Sequence, residues 1–269
     1  MDQNRLAEKM AELEMALRRC QSLLVAFSGG VDSTFLLAVA RRVLGRKVAA
    51  ITAVSPVHPA REGLDAETIV KSLGILHVKF YSDEMADPAF VANTAMRCYH
   101  CKRALFSGFL GIAEEMGLKR VVHGANLDDI DDFRPGYKAA QELGIAAPMV
   151  DVRLTKLEIR QLSKDMGLST WDKPALPCLA TRIPVGTPIT EKKLATVEQA
   201  EGILMDLGFS GFRVRHHDQI ARIEIDPGAF DKILDAGTRL TIEERFKALG
   251  FRYVAVDLAG YRQGSMNTP

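Results

Sequence analysis

Three groups of side chains in this sequence have the types and spacing to do chemistry. The first is Ser28, Gly29, Gly30, Val31, Asp32 and Ser33, which stands between an apolar run (Leu23, Leu24, Val25, Ala26, Phe27) and apolar residues at helical spacing (Phe35, Leu36, Val39, Val43). That order predicts strand, tight turn, helix. Glycines in the turn let several backbone N–H groups converge on one anion at the helix N-terminus, and the anion expected there is a phosphate. The dinucleotide fingerprint needs three spaced glycines and the Walker loop a Gly-Lys-Ser/Thr ending; this loop has neither. The second group is acidic: Asp128, Asp129, Asp131 and Asp132 crowd the stretch after Gly124, Ala125 and Asn126, with Arg134 just beyond. Packed carboxylates repel unless a cation or a helix N-terminus is near, so a metal site and a solvated helix-capping turn are both compatible with this pattern. Arg134 offers a guanidinium to a substrate carboxylate or phosphate.

The third group is cysteine. Cys98 and Cys101 form a Cys-x-x-Cys pair at the expected start of a helix over residues 99–116, where the dipole favours thiolates. Cys178 lies far away, in a proline-rich stretch over residues 168–184 with little periodicity, the mark of an active-site loop. Three thiolates can hold a four-iron cluster with one iron open. A zinc site completed by His100 or His77, a redox pair at 98 and 101, and three unrelated thiols fit the spacing as well. Lys102 and Arg182 adjoin cysteines, and each can lower a thiolate pKa or hold an anion.

The elements that must position these groups follow from periodicity. Residues 5–20 form an amphipathic lead-in helix with Leu6, Met10, Leu13 and Leu17 on one face, closed by Cys20, a small buried hydrophobe with no chemistry. Near-continuous apolar strands are expected at residues 23–27 and 48–54 and further strands at 77–81, 120–125 and 147–152, alternating with helices, of which one covers residues 61–73. This predicts an α/β fold, a doubly wound parallel sheet over residues 1–185, with ligand at the carboxyl edge of the strands. Residues 186–269 change character: a helix at 191–207, strands at 212–216 and 220–225 around a polar turn, helices near 228–236 and 241–249, and a strand at 253–257 make a small α+β unit. Arg213 and Arg215 point to one face of their strand with Val214 toward the core; the strand pattern alone makes that face a polar exterior.

Composition narrows the setting. The 269 residues carry 35 Lys plus Arg against 34 Asp plus Glu, so no global field draws the chain to nucleic acid or to a membrane. The opening residues lack a signal-peptide pattern and there is no run of 18 apolar residues, which predicts a reducing, cytoplasmic setting where four cysteines stay unpaired.

The loop SGGVDS resembles that of the PP-loop ATP pyrophosphatases, which cleave ATP between its α and β phosphates and transfer AMP to a substrate. Together with HGANLDDIDDFRPG, KPALPCLATRIPVGTPIT, RVRHHDQIARIEID and GYRQGSMN, it resembles the LarE family of ATP-dependent sulfur transferases over almost the whole chain. The resemblance implies the following. ATP phosphates lie on Ser28, Gly29, Gly30 and Ser33, while Asp32 assists Mg²⁺; on the metal reading of the acidic cluster, Asp128 joins it. The substrate is pyridinium-3,5-biscarboxylic acid mononucleotide, its phosphate on Arg213 and Arg215, and one carboxylate becomes a thiocarboxylate for a nickel-pincer nucleotide cofactor. In one branch the cysteine at the position of Cys178 gives up its own sulfur and ends as dehydroalanine. In the other, which Cys98 and Cys101 resemble, three cysteines carry a [4Fe-4S] cluster and sulfide on the open iron is the donor, fed by free sulfide or a cysteine desulfurase. A homo-oligomer is expected, since relatives form rings. The alternatives are a tRNA thiolase, disfavoured by the neutral charge and the lack of a basic stripe, and a non-catalytic ATP-binding redox sensor, disfavoured by the intact loop and acidic cluster.

Overall fold

The chain, seen in a computed structural model whose described residues are 3–130, 134–174 and 177–262, opens on an amphipathic helix, α1 (Gln3–Arg19), that buries Leu6, Leu13 and Leu17. Strands and helices then alternate as β1 (Leu23–Ala26), α2 (Val31–Leu44), β2 (Val48–Val54), α3 (Ala60–Ser72) and β3 (Leu76–Tyr81). A one-turn helix, α4 (Pro88–Val91), precedes α5 (Arg97–Glu115), β4 (Arg120–His123), α6 (Pro135–Glu142), α7 (Pro148–Asp151) and α8 (Lys156–Asp165). The remainder is α9 (Glu191–Asp206), β5 (Phe212–His217), β6 (Ile220–Ile225), α10 (Phe230–Leu234), α11 (Ala236–Ala248) and β7 (Tyr253–Val256). The contacts divide the chain into two units, Met1–Glu84 with Met96–Leu176, and Met85–Ala95 with Pro177–Pro269. The second unit thus begins before residue 186 and borrows α4 from the first half of the chain.

In the first unit four parallel strands lie in the order β3-β2-β1-β4. Burial on both faces explains why the central strands β1 and β2 are almost wholly apolar, whereas the edge strands carry polar residues, His77 and Lys79 on β3 and Arg120 and His123 on β4. Leu23 and Val25 of β1, Val48 and Ala50 of β2 and Val122 of β4 face one core, shared with Leu13, Leu17, Phe35 and Ile159 from the helices on that side. Leu24, Ala49, Ile51 and Val121 face the other, against Leu105, Phe106 and Phe109 of α5. Each fully buried Leu or Phe contributes about 1.5–3 kcal/mol, so both faces are needed to hold a four-stranded sheet. The chain leaves β1 toward β2 and returns to its other side through β4, which makes the gap between the β1 and β4 ends the topological switch point.

One expected strand does not form. Residues 147–152 pair with no strand; only Ala146, just before them, makes an isolated bridge with Val122, held by Ala146 N–H on Val121 O (3.1 Å) and His123 N–H on Ala146 O (3.0 Å). Pro148 has no N–H to continue a ladder and its fixed φ suits the first position of a helix, so the apolar run turns into α7 instead. The helix α8, which sequence periodicity did not single out, follows behind a Thr155/Glu158 capping box.

The second unit packs α9, α10 and α11 on a three-stranded sheet of order β5-β6-β7, with β5 and β6 antiparallel and β6 and β7 parallel. Its core is Leu204, Phe209, Val214, Ile223, Ile225, Phe246 and their neighbours. The hairpin turns on two residues, Asp218 and Gln219, with Asp218 at φ 50, a left-handed conformation that Asp tolerates better than most residues. Among the described residues no helix is long and apolar enough to cross a membrane.

Candidate active site

The phosphate loop follows β1 at the carboxyl edge of the sheet, where the chain enters α2. The helix has Gly30 as its N-cap and no side-chain cap, so its first-turn N–H groups have no partner within the helix and open toward the loop. The Ser33 hydroxyl closes the turn: it donates to Gly30 O (3.2 Å), accepts from Ser28 N–H (3.3 Å) and meets Ser28 Oγ at 3.2 Å. Gly29 sits at φ +71, and a Cβ there would stand 3.3 Å from Ala66 Cβ. Gly124, past the end of β4, has no room for a Cβ either, which would lie 3.0 Å from Ser33 N. Close backbone approach at both strand ends is what brings the acidic stretch to the loop.

Asp32, in the first turn of α2, accepts from Asn126 Nδ2 (3.3 Å) and pairs with the ammonium of Lys156. Asn126 caps a 3₁₀ turn, Leu127–Asp129, with the carboxylate of Asp129 returning to Asn126 N–H (3.0 Å). Asp129 also pairs with Arg134 at 2.7 Å, and Asp128 accepts the N–H of Lys156 at 2.8 Å. Two of the four clustered carboxylates therefore close a turn and meet cationic or N–H partners; Asp131 and Asp132 lie outside the described residues. On the other side of the loop Lys173 reaches Asp65 (3.0 Å) and Gly29 O (3.4 Å). Arg160 of α8 fixes the segment that carries Lys173, donating to Trp171 O and Lys173 O at 2.8 Å each.

Cys98 and Cys101 occupy the first turn of α5, Cys98 exposed and Cys101 half-buried. Arg97 Nη2 lies 3.9 Å from Cys98 Sγ, and Cys101 Sγ lies 4.0 Å from Oε1 of Glu84. Glu84 is buried and accepts from Ser82 Oγ at 3.0 Å. Nearby, His123 at the end of β4 packs against Phe106 and Tyr137. Burial, reinforced by the Lys102 charge, pushes its pKa down to about 4 and keeps the ring neutral at pH 7. His58 is held neutral by burial and by Lys102 in the same way. Cys20 belongs to no site: burial pushes its thiol up, and it donates to Ala16 O.

In the second unit Cys178 is the N-cap of a short 3₁₀ helix, Leu179–Arg182. Its carbonyl accepts from Thr181 N–H (3.0 Å), Thr181 Oγ1 (2.8 Å) and Arg182 Nη1 (3.2 Å). Arg182, 1% exposed, makes a bidentate pair with Glu201 of α9 at 2.9 and 3.0 Å. Its guanidinium is thereby spent on holding the loop around Cys178 rather than left open to an anion. Asn93 is a second clamp, its buried amide donating to Ile183 O, Pro184 O and Thr187 O.

Arg213 and Arg215 do share a face of β5, but that face is not a polar exterior: they are 6% and 5% exposed. Arg215 pairs with Glu224 at 2.6 Å and donates to Thr181 O, while Arg213 stacks on Tyr261. Arg222 joins Glu224 at 3.0 Å. Three guanidiniums, those of Arg182, Arg215 and Arg222, thus meet the buried carboxylates of Glu201 and Glu224, with Asp257 also 3.6 Å from Arg222, and Arg213 beside them leaves the cluster positive. Glu201 carried a sequence signal that went unused, since it interrupts the apolar stripe Leu194, Val197, Leu204 on α9. Lys156, Glu84 and Asn93 carried none.

The donor sets bear on the implied metals. Asp32 and Asp128 offer hard oxygens, the ligand type Mg²⁺ takes, and both meet Lys156, so a cation is already the partner this corner of the fold provides. For the cluster, two thiols on one helical turn make part of a set, but among the described residues no three His, Cys, Asp or Glu side chains are gathered as a metal requires.

The asparagine synthase family profile matches residues 11–100, which contain the loop. An uncharacterized protein of Synechocystis, slr1717, is 40% identical over 97% of this chain and 98% of its own length. Pyridinium-3,5-bisthiocarboxylic acid mononucleotide synthase of Lactiplantibacillus plantarum is 37% identical over 97% of this chain and 95% of its own. An uncharacterized Methanocaldococcus jannaschii protein, MJ0830, is 27% identical over 90% and 91%. Likeness at that level along nearly the full length, on a parallel sheet with an open phosphate loop, places the chain in the LarE family of PP-loop, ATP-dependent sulfur transferases.

Proposed function

We propose that this chain adenylates a carboxylate of pyridinium-3,5-biscarboxylic acid mononucleotide and converts it into a thiocarboxylate. A carboxylate is a poor electrophile. When its oxygen attacks the α-phosphorus of ATP, pyrophosphate leaves and a mixed anhydride remains; a sulfur nucleophile then attacks the acyl carbon and AMP departs. The observation that carries the reading is the uncapped N-terminus of α2, with Ser28, Gly29, Gly30 and Ser33 around it and Asp32 in its first turn. Those N–H groups stabilise charge developing on the leaving pyrophosphate without reorganising at the moment of reaction. Mg²⁺ bound with ATP would neutralise more of that charge, with Asp32 and Asp128 as its protein ligands. Arg134 belongs to the same edge but is engaged by Asp129, so its part is to offset the carboxylates around the phosphates.

The second unit supplies the acceptor half in this proposal. Arg213 and Arg215 belong to a cluster in which arginines outnumber their carboxylates, a positive field that favours the mononucleotide phosphate; Glu224 and Thr181 O fix the direction of Arg215, and the Tyr261 ring and Phe212 O that of Arg213. Arg182 orders the loop of Cys178, the thiol common to both sulfur routes: loss of its own sulfur, or ligation with Cys98 and Cys101 of a [4Fe-4S] cluster. Incubation with ATP, Mg²⁺ and the biscarboxylic mononucleotide tests the proposal. AMP and pyrophosphate released in step with a product in which sulfur replaces oxygen support it; ATP cleavage that is indifferent to the mononucleotide refutes it.

A further inference from the structure

We propose that Lys156 is an ATP-binding residue whose ammonium contacts the outer phosphates, and that Asp32 occupies that ammonium only while the nucleotide is away. The inference rests on the reading of the loop as an ATP site and adds to it a residue outside every motif of the loop.

Lys156 is the first residue of α8, and its backbone is fixed from several directions. Thr155 and Glu158 form the capping box, Lys9 of α1 pairs with Glu158 at 2.7 Å and donates to Arg153 O at 2.8 Å, and Leu127 N–H reaches Leu154 O at 2.8 Å. The N–H of Lys156 itself goes to Asp128. A rigid anchor so placed aims the side chain at Asp32, in the first turn of α2, where the loop's open N–H groups are.

That aim places a cation where a helix start disfavours one. A helix N-terminus carries about half a positive charge and disfavours cations in its first turn. The ammonium starts from one such terminus and ends beside another. Asp32 offsets it, yet the pair is not sealed off, since the Lys156 and Asp32 side chains keep 32% and 21% of their exposure. Half-exposed pairs of this kind contribute little to stability. Two helix ends and an ammonium converging at one accessible point raise the potential for a polyanion instead. Asp32 meets the ammonium of Lys156 and Asp128 its N–H, so Lys156 offsets, together with the Mg²⁺ that ATP brings, the repulsion between these carboxylates and the triphosphate.

Binding measurements on the full chain, with variants Lys156→Met and Lys156→Arg, test this. ATP with Mg²⁺ and AMP are titrated separately by calorimetry. We expect Lys156→Met to weaken ATP about tenfold or more while AMP changes less than about threefold, because only the outer phosphates lose a charged partner. Lys156→Arg keeps the charge and should recover most of the ATP affinity, with melting temperatures of all three proteins alike. ATP affinity of the Met variant within about twofold of the parent, or a parallel loss for ATP and AMP, overturns the assignment. A parent protein that fails to bind ATP at all would overturn the reading of the loop, and this inference with it.

Discussion

Replacing Arg182 by Met removes the guanidinium from a pair that is almost wholly out of water, with side-chain exposures of 1% for Arg182 and 11% for Glu201. The neutral side chain fills much the same volume but leaves Glu201 with only Val214 N–H at 3.1 Å, and it frees the carbonyls of Pro177 and Cys178 from their shared donor. Removing one partner of a buried pair costs about 3–5 kcal/mol, most of it the penalty of the charge left behind. For a unit of roughly a hundred residues, that lowers the melting temperature by more than about 10 °C. The assay is urea and thermal unfolding of the parent, Arg182→Met, Glu201→Gln and the double variant. Because Arg182→Met and Glu201→Gln break the same pair, the double variant should be less destabilised than the two single losses summed, by at least about 1 kcal/mol. Strict additivity, or a loss under about 1 kcal/mol for Arg182→Met, would refute the view that this pair organises the Cys178 loop.

Asp32→Asn should keep the parent's stability, the side chain being partly exposed, while release of pyrophosphate with the mononucleotide falls by about a hundredfold; an unchanged rate would remove Asp32 from the site. Cys178→Ala should abolish thiocarboxylate formation. Anaerobic purification with iron analysis and protein mass spectrometry separates the two sulfur routes: iron lost on replacing Cys98, Cys101 or Cys178 supports the cluster, whereas iron-free protein whose Cys178 ends lighter by hydrogen sulfide supports loss of its own sulfur. His123 makes folding acid-sensitive. Its folded pKa of about 4 lies below the ordinary 6.5, so the unfolded chain takes up the proton first and stability is lost as pH falls from 6.5 toward 4. The loss reaches roughly 2 kcal/mol by about pH 5, and urea titrations of His123→Phe should show that part of the slope removed.

Local pattern alone determined the strand, turn and helix around SGGVDS, because apolar periodicity and glycine placement are properties of neighbouring residues. It also pointed to the parallel character of the first sheet, since its central strands β1 and β2, buried on both faces, are almost wholly apolar, and the motifs along the chain carried the family. Where a local signal competed with another, pattern misled: residues 147–152 are apolar enough for a strand, and Pro148 diverts them into a helix. Arg213 and Arg215 read as an outer face because alternation tells which residues share a side of a strand, not whether that side is covered. The partners that define the site were decided by tertiary structure. Lys156 meets Asp32 across 124 residues, Arg182 meets Glu201 across 19, and Asn93 holds carbonyls some ninety residues on. Such pairs depend on which strand ends and helix termini the topology brings together, and a charged side chain at the start of a helix looks the same in sequence whether it meets water or a buried carboxylate.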